Sequence, residues 1–371
     1  MPARRSILKS ATALATAAFI IPGAAWADEP IPVVATFSIL GDMVERIGGE
    51  HITLTTLVGP DGDAHVYQPT PQAAAAVAEA DVLFMNGLEF EGWLERLAEA
   101  AAFDGELVVA TTGVDAIEFD EHGHDDHGDE HAEGEDHGDH GHEDHAEGEK
   151  HDHDHDHEEV AADDHDHDHD HEEHASDEHK HGDDHAGHDH AGHDHGEFDP
   201  HAWQSIENAI IYVDNIAAGL AKADQENAAT FFENRAAYVA ELQALEAEID
   251  VMMASIPADR RTVVTSHDAF GYLGAHYGLT FEAPQGLSTE SEASAADVAE
   301  LITQIRDEGI SAVFVETITD NRLLEQIANE TGATIGGTLY SDALSGEDGP
   351  AATYIDMMRH NAMTLSQSLG S

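Results

Sequence analysis

The chain has no cysteine among its 371 residues. A thiolate metal site, a disulfide framework, a thiol nucleophile and a lipid anchor on an N-terminal cysteine are therefore all excluded. Positive charge is scarce as well: 14 Lys and Arg face 77 Asp and Glu, for a formal net charge of −63. A nucleic-acid partner needs a basic surface, so that class is excluded too, and a cationic ligand or partner is favoured. Beyond the N-terminus no apolar run is long enough to span a bilayer.

The first 27 residues have the features of a targeting peptide. Arg4 and Arg5 give a basic start, Ala11–Ala25 is apolar, and Ala25-Trp26-Ala27 is a small-x-small cleavage site. This pattern predicts a cleaved signal over 1–27, a mature chain from Asp28 and residence in the periplasm. Both general secretory and twin-arginine export fit the RRSILK start.

Histidine is abundant but unevenly placed. Residues 120–197 hold 24 of the 30 histidines, with 33 Asp and Glu against two Lys, a net of −31. The rest of the chain still carries −32, so a metal cation would approach it down a favourable potential. The tract has almost no apolar residue to offset the entropy of ordering, which predicts a disordered, histidine-rich metal-binding loop. Runs such as His151–Glu159 put a potential ligand at every second position, so many weak Zn²⁺ sites overlap. An H-x-x-E-H match at His127–His131 is expected by chance in so biased a segment and has no helix to support it.

Outside the tract, apolar runs alternate with amphipathic segments. IPVVATF (Ile31–Phe37) is a buried-strand pattern, and Ser38 is placed to cap the helix after it. Strands follow at Ile52–Leu57, in DVLFMNG and in ELVVA. Helices are predicted after Thr70-Pro71, over Phe90–Ala102 and over Ile206–Lys222. Tyr238, Leu242, Leu245, Ile249, Met252 and Ile256 repeat at 4-3-4-3-4, the stripe of one long helix over Gln225–Ser255. The alternation then restarts, from TVVTS (Thr262–Ser266) to a last helix near Pro350–Leu369. The fold class read from this pattern is α/β: two lobes of mostly parallel sheet flanked by helices, joined by one long rigid helix. The boundaries are 28–119 with 198–224 for the N-terminal lobe, 120–197 for the insertion, 225–256 for the linking helix and 257–371 for the C-terminal lobe.

Six histidines lie outside the tract. His65 (DGDAHVYQPTP) follows the second strand, His201 (FDPHAWQ) precedes a helix, and His267 (TVVTSHDAFGY) ends a strand. Asp342 (LYSDALSGEDG) lies just past another strand. In open α/β sheets, ligands bind beyond the carboxyl ends of strands. Two of these positions fall in each lobe, so they could meet only between the lobes. Three neutral imidazoles and one carboxylate suit tetrahedral Zn²⁺, and four protein ligands leave no open position for a catalytic water. His51, His276 and His360 fall in no such segment and are expected to be structural or exposed. Trp203, Tyr67 and Phe270 are expected to pack the walls of the cleft.

The segments GDAHVYQPTP, DPHAW, TSHDAFGYL and YSDALSGEDGPAATYIDMMRHN, in this order, resemble the cluster A-I (cluster 9) metal-binding proteins of ABC importers, the ZnuA/TroA-like group. The resemblance covers nearly the whole mature chain outside the tract. It implies His65, His201, His267 and Asp342 as metal ligands and two lobes bridged by a rigid helix. It also implies a monomer, not an enzyme, that delivers metal to an ABC permease in the inner membrane, with periplasmic metallochaperones as further partners. Manganese-type members usually carry Glu at the third position, whereas here it is His267, which tilts the shell towards Zn²⁺ over Mn²⁺. Ala64 stands where many members have Pro, and many zinc-type members lack the Asp. Two alternatives remain: a manganese or iron carrier of the same family, and a zinc buffer without an importer.

Overall fold

The computed structural model describes residues 29–118 and 198–370; the expected targeting peptide and the histidine-rich tract lie outside them. The first lobe contains a four-stranded parallel sheet of β1 (Ile31–Phe37), β2 (Ile52–Val58), β3 (Val82–Met85) and β4 (Glu106–Val109), in the order β2-β1-β3-β4. The second lobe repeats this arrangement with β5 (Thr262–Val264), β6 (Thr280–Glu282), β7 (Ala312–Glu316) and β8 (Thr334–Leu339), in the order β6-β5-β7-β8. In each sheet the first strand in sequence is central, and the chain leaves it towards both edges. A crevice opens at such a switch point, beyond the strand carboxyl ends.

The helices are α1 (Ser38–Gly48), α2 (Pro71–Glu79), α3 (Leu94–Ala101), α4 (Ile206–Ala223), α5 (Ala228–Ala254), α6 (Gly271–Tyr277), α7 (Ala295–Glu308), α8 (Arg322–Thr331) and α9 (Tyr354–Leu369). Two local expectations are corrected. Ser38 does not cap α1: Phe37 takes that position, and the Ser38 hydroxyl instead accepts from the Leu344 N–H of the other lobe (2.9 Å). The helix expected from Phe90 starts only at Leu94. The Glu91 carboxylate accepts from the Thr36 hydroxyl (2.6 Å) and from the N–H groups of Asn86 (2.7 Å) and Gly87 (3.2 Å). That anchorage holds a tight turn in which Gly87, Leu88 and Glu89 all have positive φ. For the two non-glycine residues this costs about 1–3 kcal/mol each.

The 27-residue α5 is about 40 Å long at 1.5 Å per residue. It packs on α1 and α4 of the first lobe and on α9 of the second. Its buried stripe is Phe231, Tyr238, Leu242, Leu245, Ile249 and Met253. Met253 thus takes the place expected for Met252, which is only partly buried. The stripe belongs to one apolar cluster that runs through both lobes, and a smaller cluster around Val264, Ile305, Val313 and Ile327 fills the far side of the second sheet.

Asp42 on α1 ties the lobes at a second point, its carboxylate accepting from Tyr354 N–H at the start of α9 (2.9 Å). Burial raises its pKa from 3.8 to about 6, against the pull of that N–H and of Arg46. The folded state therefore binds this proton more tightly than the unfolded chain does. The resulting cost of the charged carboxylate grows as pH rises from about 4 to about 6 and is constant above. Asp42→Asn should raise stability above pH 6 by on the order of 1–3 kcal/mol, with the gain vanishing near pH 4. Denaturant unfolding at both pH values checks this. Leu245→Ala should cost about 2–5 kcal/mol through the cavity it leaves and lower Tm by on the order of 10 °C, read by circular dichroism.

Candidate metal centre

Each of the four candidate side chains is delivered by a different device. His65 lies in the loop after β2, where its N–H donates to the Asp63 carboxylate (2.9 Å) and the carbonyl of Ala64 accepts from the Trp93 indole (2.7 Å). His201 opens a single 3-10 turn, Ala202–Gln204, ahead of the Ser205-capped helix α4. Both its backbone N–H (2.9 Å) and its Nδ1 (2.8 Å) point at one oxygen of Asp199. His267 follows β5, the central strand of its sheet. Glu316, the last residue of β7, accepts from the N–H groups of Ser266 (2.7 Å) and His267 (3.0 Å), and its other oxygen stands 2.7 Å from His267 Nδ1.

Asp342 sits in the loop after β8. The carbonyl of Ser341 accepts from the Trp203 indole (2.9 Å) and from the Gln204 amide (2.8 Å), while Leu344 pairs with Ser38 and with Asp61 N–H (2.8 Å). The loop that carries a second-lobe candidate ligand is thus held by first-lobe residues.

These devices bring the four side chains together, with one donor atom from each within 4.8 Å of all the others. From the Asp342 oxygens, the Nε2 atoms of His65, His267 and His201 lie at 3.1, 3.2 and 3.6 Å. Zinc–nitrogen and zinc–oxygen bonds near 2.1 Å in a tetrahedron place neighbouring donors about 3.4 Å apart. All four residues are buried, yet His65 Nε2, His201 Nε2 and Asp342 Oδ1 make no hydrogen bond. Orphaned polar atoms in a closed interior are costly, and a bound cation would satisfy all three at once. Nδ1 of both His201 and His267 faces a carboxylate, which turns Nε2 of each ring towards Asp342.

The charges fit the same reading. Burial would lower the pKa of His267, but the carboxylates of Glu316 and Asp342 outweigh it and hold the imidazole well above its ordinary value. Burial would raise Asp342, but the imidazoles of His267 and His201 hold it well below the usual carboxylate range. The cluster attracts positive charge, which a proton can supply in part and a dication more fully.

Trp203 and Phe270 are buried, as expected of cleft walls, and Tyr67 packs edge-on against Trp93. Phe90 supplies a further wall, its ring 4.7 Å from that of His65. The sequence reading gave no role to Asp199 or Glu316. Asp199 was in view, inside FDPHAWQ. Glu316 had a signal of its own, a carboxylate ending the apolar run AVFVE that would otherwise be buried unpaired.

The profile described as "ZnuA: Zinc-uptake complex component A periplasmic" matches residues 33–368. The chain belongs to this family. ZnuA-family relatives include the manganese-binding lipoprotein MntA of Bacillus subtilis (strain 168), 30% identical over 348 residues that span 92% of this chain and 91% of the relative. The iron-binding protein YfeA of Yersinia pestis is 28% identical and spans 91% of this chain and 86% of its own. Among solved structures, the periplasmic zinc binding protein TroA from Treponema pallidum superposes with a TM-score of 0.69 at 24% identity, covering 92% of this chain and all of that one. The Mn-bound periplasmic metal binding protein from candidatus Liberibacter asiaticus gives 0.66 at 24% identity, over 91% and 98%. At that identity the two structures support the fold alone: two parallel-sheet lobes flanked by helices.

Glu316→Gln and Asp199→Asn each loosen one imidazole without removing a candidate ligand. Each should weaken metal binding about 10–100-fold, measured by competition with a chromophoric chelator.

Proposed function

We propose that this protein captures Zn²⁺ between its two lobes and delivers it to an ABC permease. The observation that carries this reading is the buried convergence of His65, His201, His267 and Asp342, three of whose donor atoms have no hydrogen-bond partner. Family membership supplies the transport role, since the family is described as a periplasmic component of an uptake complex. Among the described residues no helix is long and apolar enough to cross a membrane. That fits a protein exported by its first 27 residues and working in the periplasm, where it meets the permease.

The donor set supports binding over catalysis. Four protein ligands complete a tetrahedral shell and leave no position for an activated water. It also favours Zn²⁺ over Mn²⁺, because three imidazoles suit zinc whereas manganese prefers oxygen-rich, higher-coordinate sites. The relatives named for manganese and iron keep a second reading in play, in which the Asp342 carboxylate serves one of those ions. Competition between Zn²⁺ and Mn²⁺ for the apo protein separates the two. A preference for Mn²⁺ would overturn the zinc assignment.

Zinc titration of the apo chain tests the ligands. His65→Ala and His267→Ala should each remove the tight site, a loss exceeding the roughly 10–100-fold effect of disturbing a ligand's hydrogen-bond partner. Deleting residues 120–197 should lower the total stoichiometry and leave one tight site. If the tight site vanished with the tract, the assignment to these four residues would be wrong.

A further inference from the structure

A second group of metal-ligating side chains shares no residue with the buried centre. Glu207 lies in the first turn of α4, Glu246 on α5 and His276 near the end of α6. One donor atom from each falls within 4.8 Å of the other two. His276 Nε2 stands 4.0 Å from Glu246 Oε1, too far for a hydrogen bond. Among the described residues, neither glutamate pairs with a lysine or an arginine. Asp250, one turn beyond Glu246, adds a third carboxylate to the patch.

Electrostatically this grouping is incomplete. Burial raises the pKa of Glu246, and the carboxylates of Glu207 and Asp250 raise it further, against a lowering by His276. Burial and the same carboxylates push the neighbouring Tyr277 hydroxyl up as well. Helices α4 and α5 pack together and hold the two glutamates close, and among the described residues the counter-group beside them is the imidazole of His276 on α6. A divalent cation between the three donors would turn that repulsion into attraction. Imidazole nitrogen and carboxylate oxygen are both zinc donors, and water can fill the fourth tetrahedral position.

We propose that Glu207, Glu246 and His276 form a second, weaker Zn²⁺ site that pins α4, α5 and α6 together. Its weakness follows from exposure: the side chains of His276 and Glu246 are 30% and 24% accessible, so water competes for the ion. Its placement gives it a consequence. α4 begins just after His201 and α6 just after His267, so one ion here clamps the helices that follow two residues of the buried centre. The site fills when zinc is abundant and stiffens the frame around ions already captured.

Crystals of the full chain, grown with one equivalent and with excess Zn²⁺, test the proposal through anomalous differences across the zinc edge. With excess zinc a peak is expected among Glu207, Glu246 and His276. It should be absent in Glu246→Gln and His276→Ala, while a peak at His65, His201, His267 and Asp342 persists and shows that those variants are folded and loaded. In solution, backbone hydrogen exchange over residues 271–278 should slow on adding excess zinc in the wild type and not in His276→Ala. No peak at the second site while the buried centre is filled would overturn the proposal. So would a peak that survives His276→Ala, or a crystal peak with no change in exchange.

Discussion

The candidate centre depends on one constraint, the attachment of the Tyr340–Leu344 loop to the opposite lobe. Asp342 belongs to the second lobe by chain order, yet its loop is held by Trp203, Gln204, Ser38 and Asp61, all of the first. Two N–H donors on the single carbonyl of Ser341 fix the backbone next to the carboxylate. Without them Asp342 would be free to move with β8, and the three Nε2 atoms would lose the group they converge on. The same bonds explain why Ser38 does not cap α1: its hydroxyl instead satisfies the N–H of Leu344 in a buried seam.

Around that seam the charges are arranged in alternation. Asp199 and Glu316 sit behind the imidazoles of His201 and His267, and Asp342 sits in front of all three histidines. Burying three carboxylates is expensive unless positive charge accompanies them. The carboxylates of Glu316 and Asp342 favour positive charge on the His267 imidazole. A dication among the four donors would meet that demand more fully, because it would face Asp342 and the imidazoles together. Metal binding here would then compete with protons for the same imidazoles, and the outer carboxylates would favour positive charge inside.

Much of this was legible in the sequence because it rests on patterns that short-range physics enforces. The run Ile31–Phe37 is wholly apolar apart from one threonine, and it forms β1 at those limits. Thr70-Pro71 opens α2, with the Thr70 hydroxyl accepting from the Ala73 N–H. The four site residues stood out because each sits in a loop directly beside a regular element. What was not legible depends on contacts between distant segments. The delayed start of α3 follows from Glu91 reaching back to Asn86, Gly87 and Thr36, which no periodicity reveals. The choice of Met253 over Met252 is a rotation of a few tens of degrees at the end of a long helix, where i+3 and i+4 steps are equally open. The grouping of Glu207, Glu246 and His276 draws on three helices far apart in the chain, so His276 read as a bystander.

The two groups of donors differ in burial, and that difference divides their roles. The inner four are closed off from water, so without an ion several of their polar atoms have no partner. Opening the group to solvent would require separating the seam at Ser341 and Leu344, whose bonds hold the loop that carries Asp342. The outer three are open to solvent, and losing an ion there costs only what water returns. A permease that parts the lobes would therefore act on the inner centre through the Tyr340–Leu344 loop. An ion bridging α4 and α6 would resist that parting, because it links a first-lobe helix to a second-lobe helix. Were both groups to hold an ion, opening the inner one would have to work against the outer one, because α4 and α6 lie in opposite lobes.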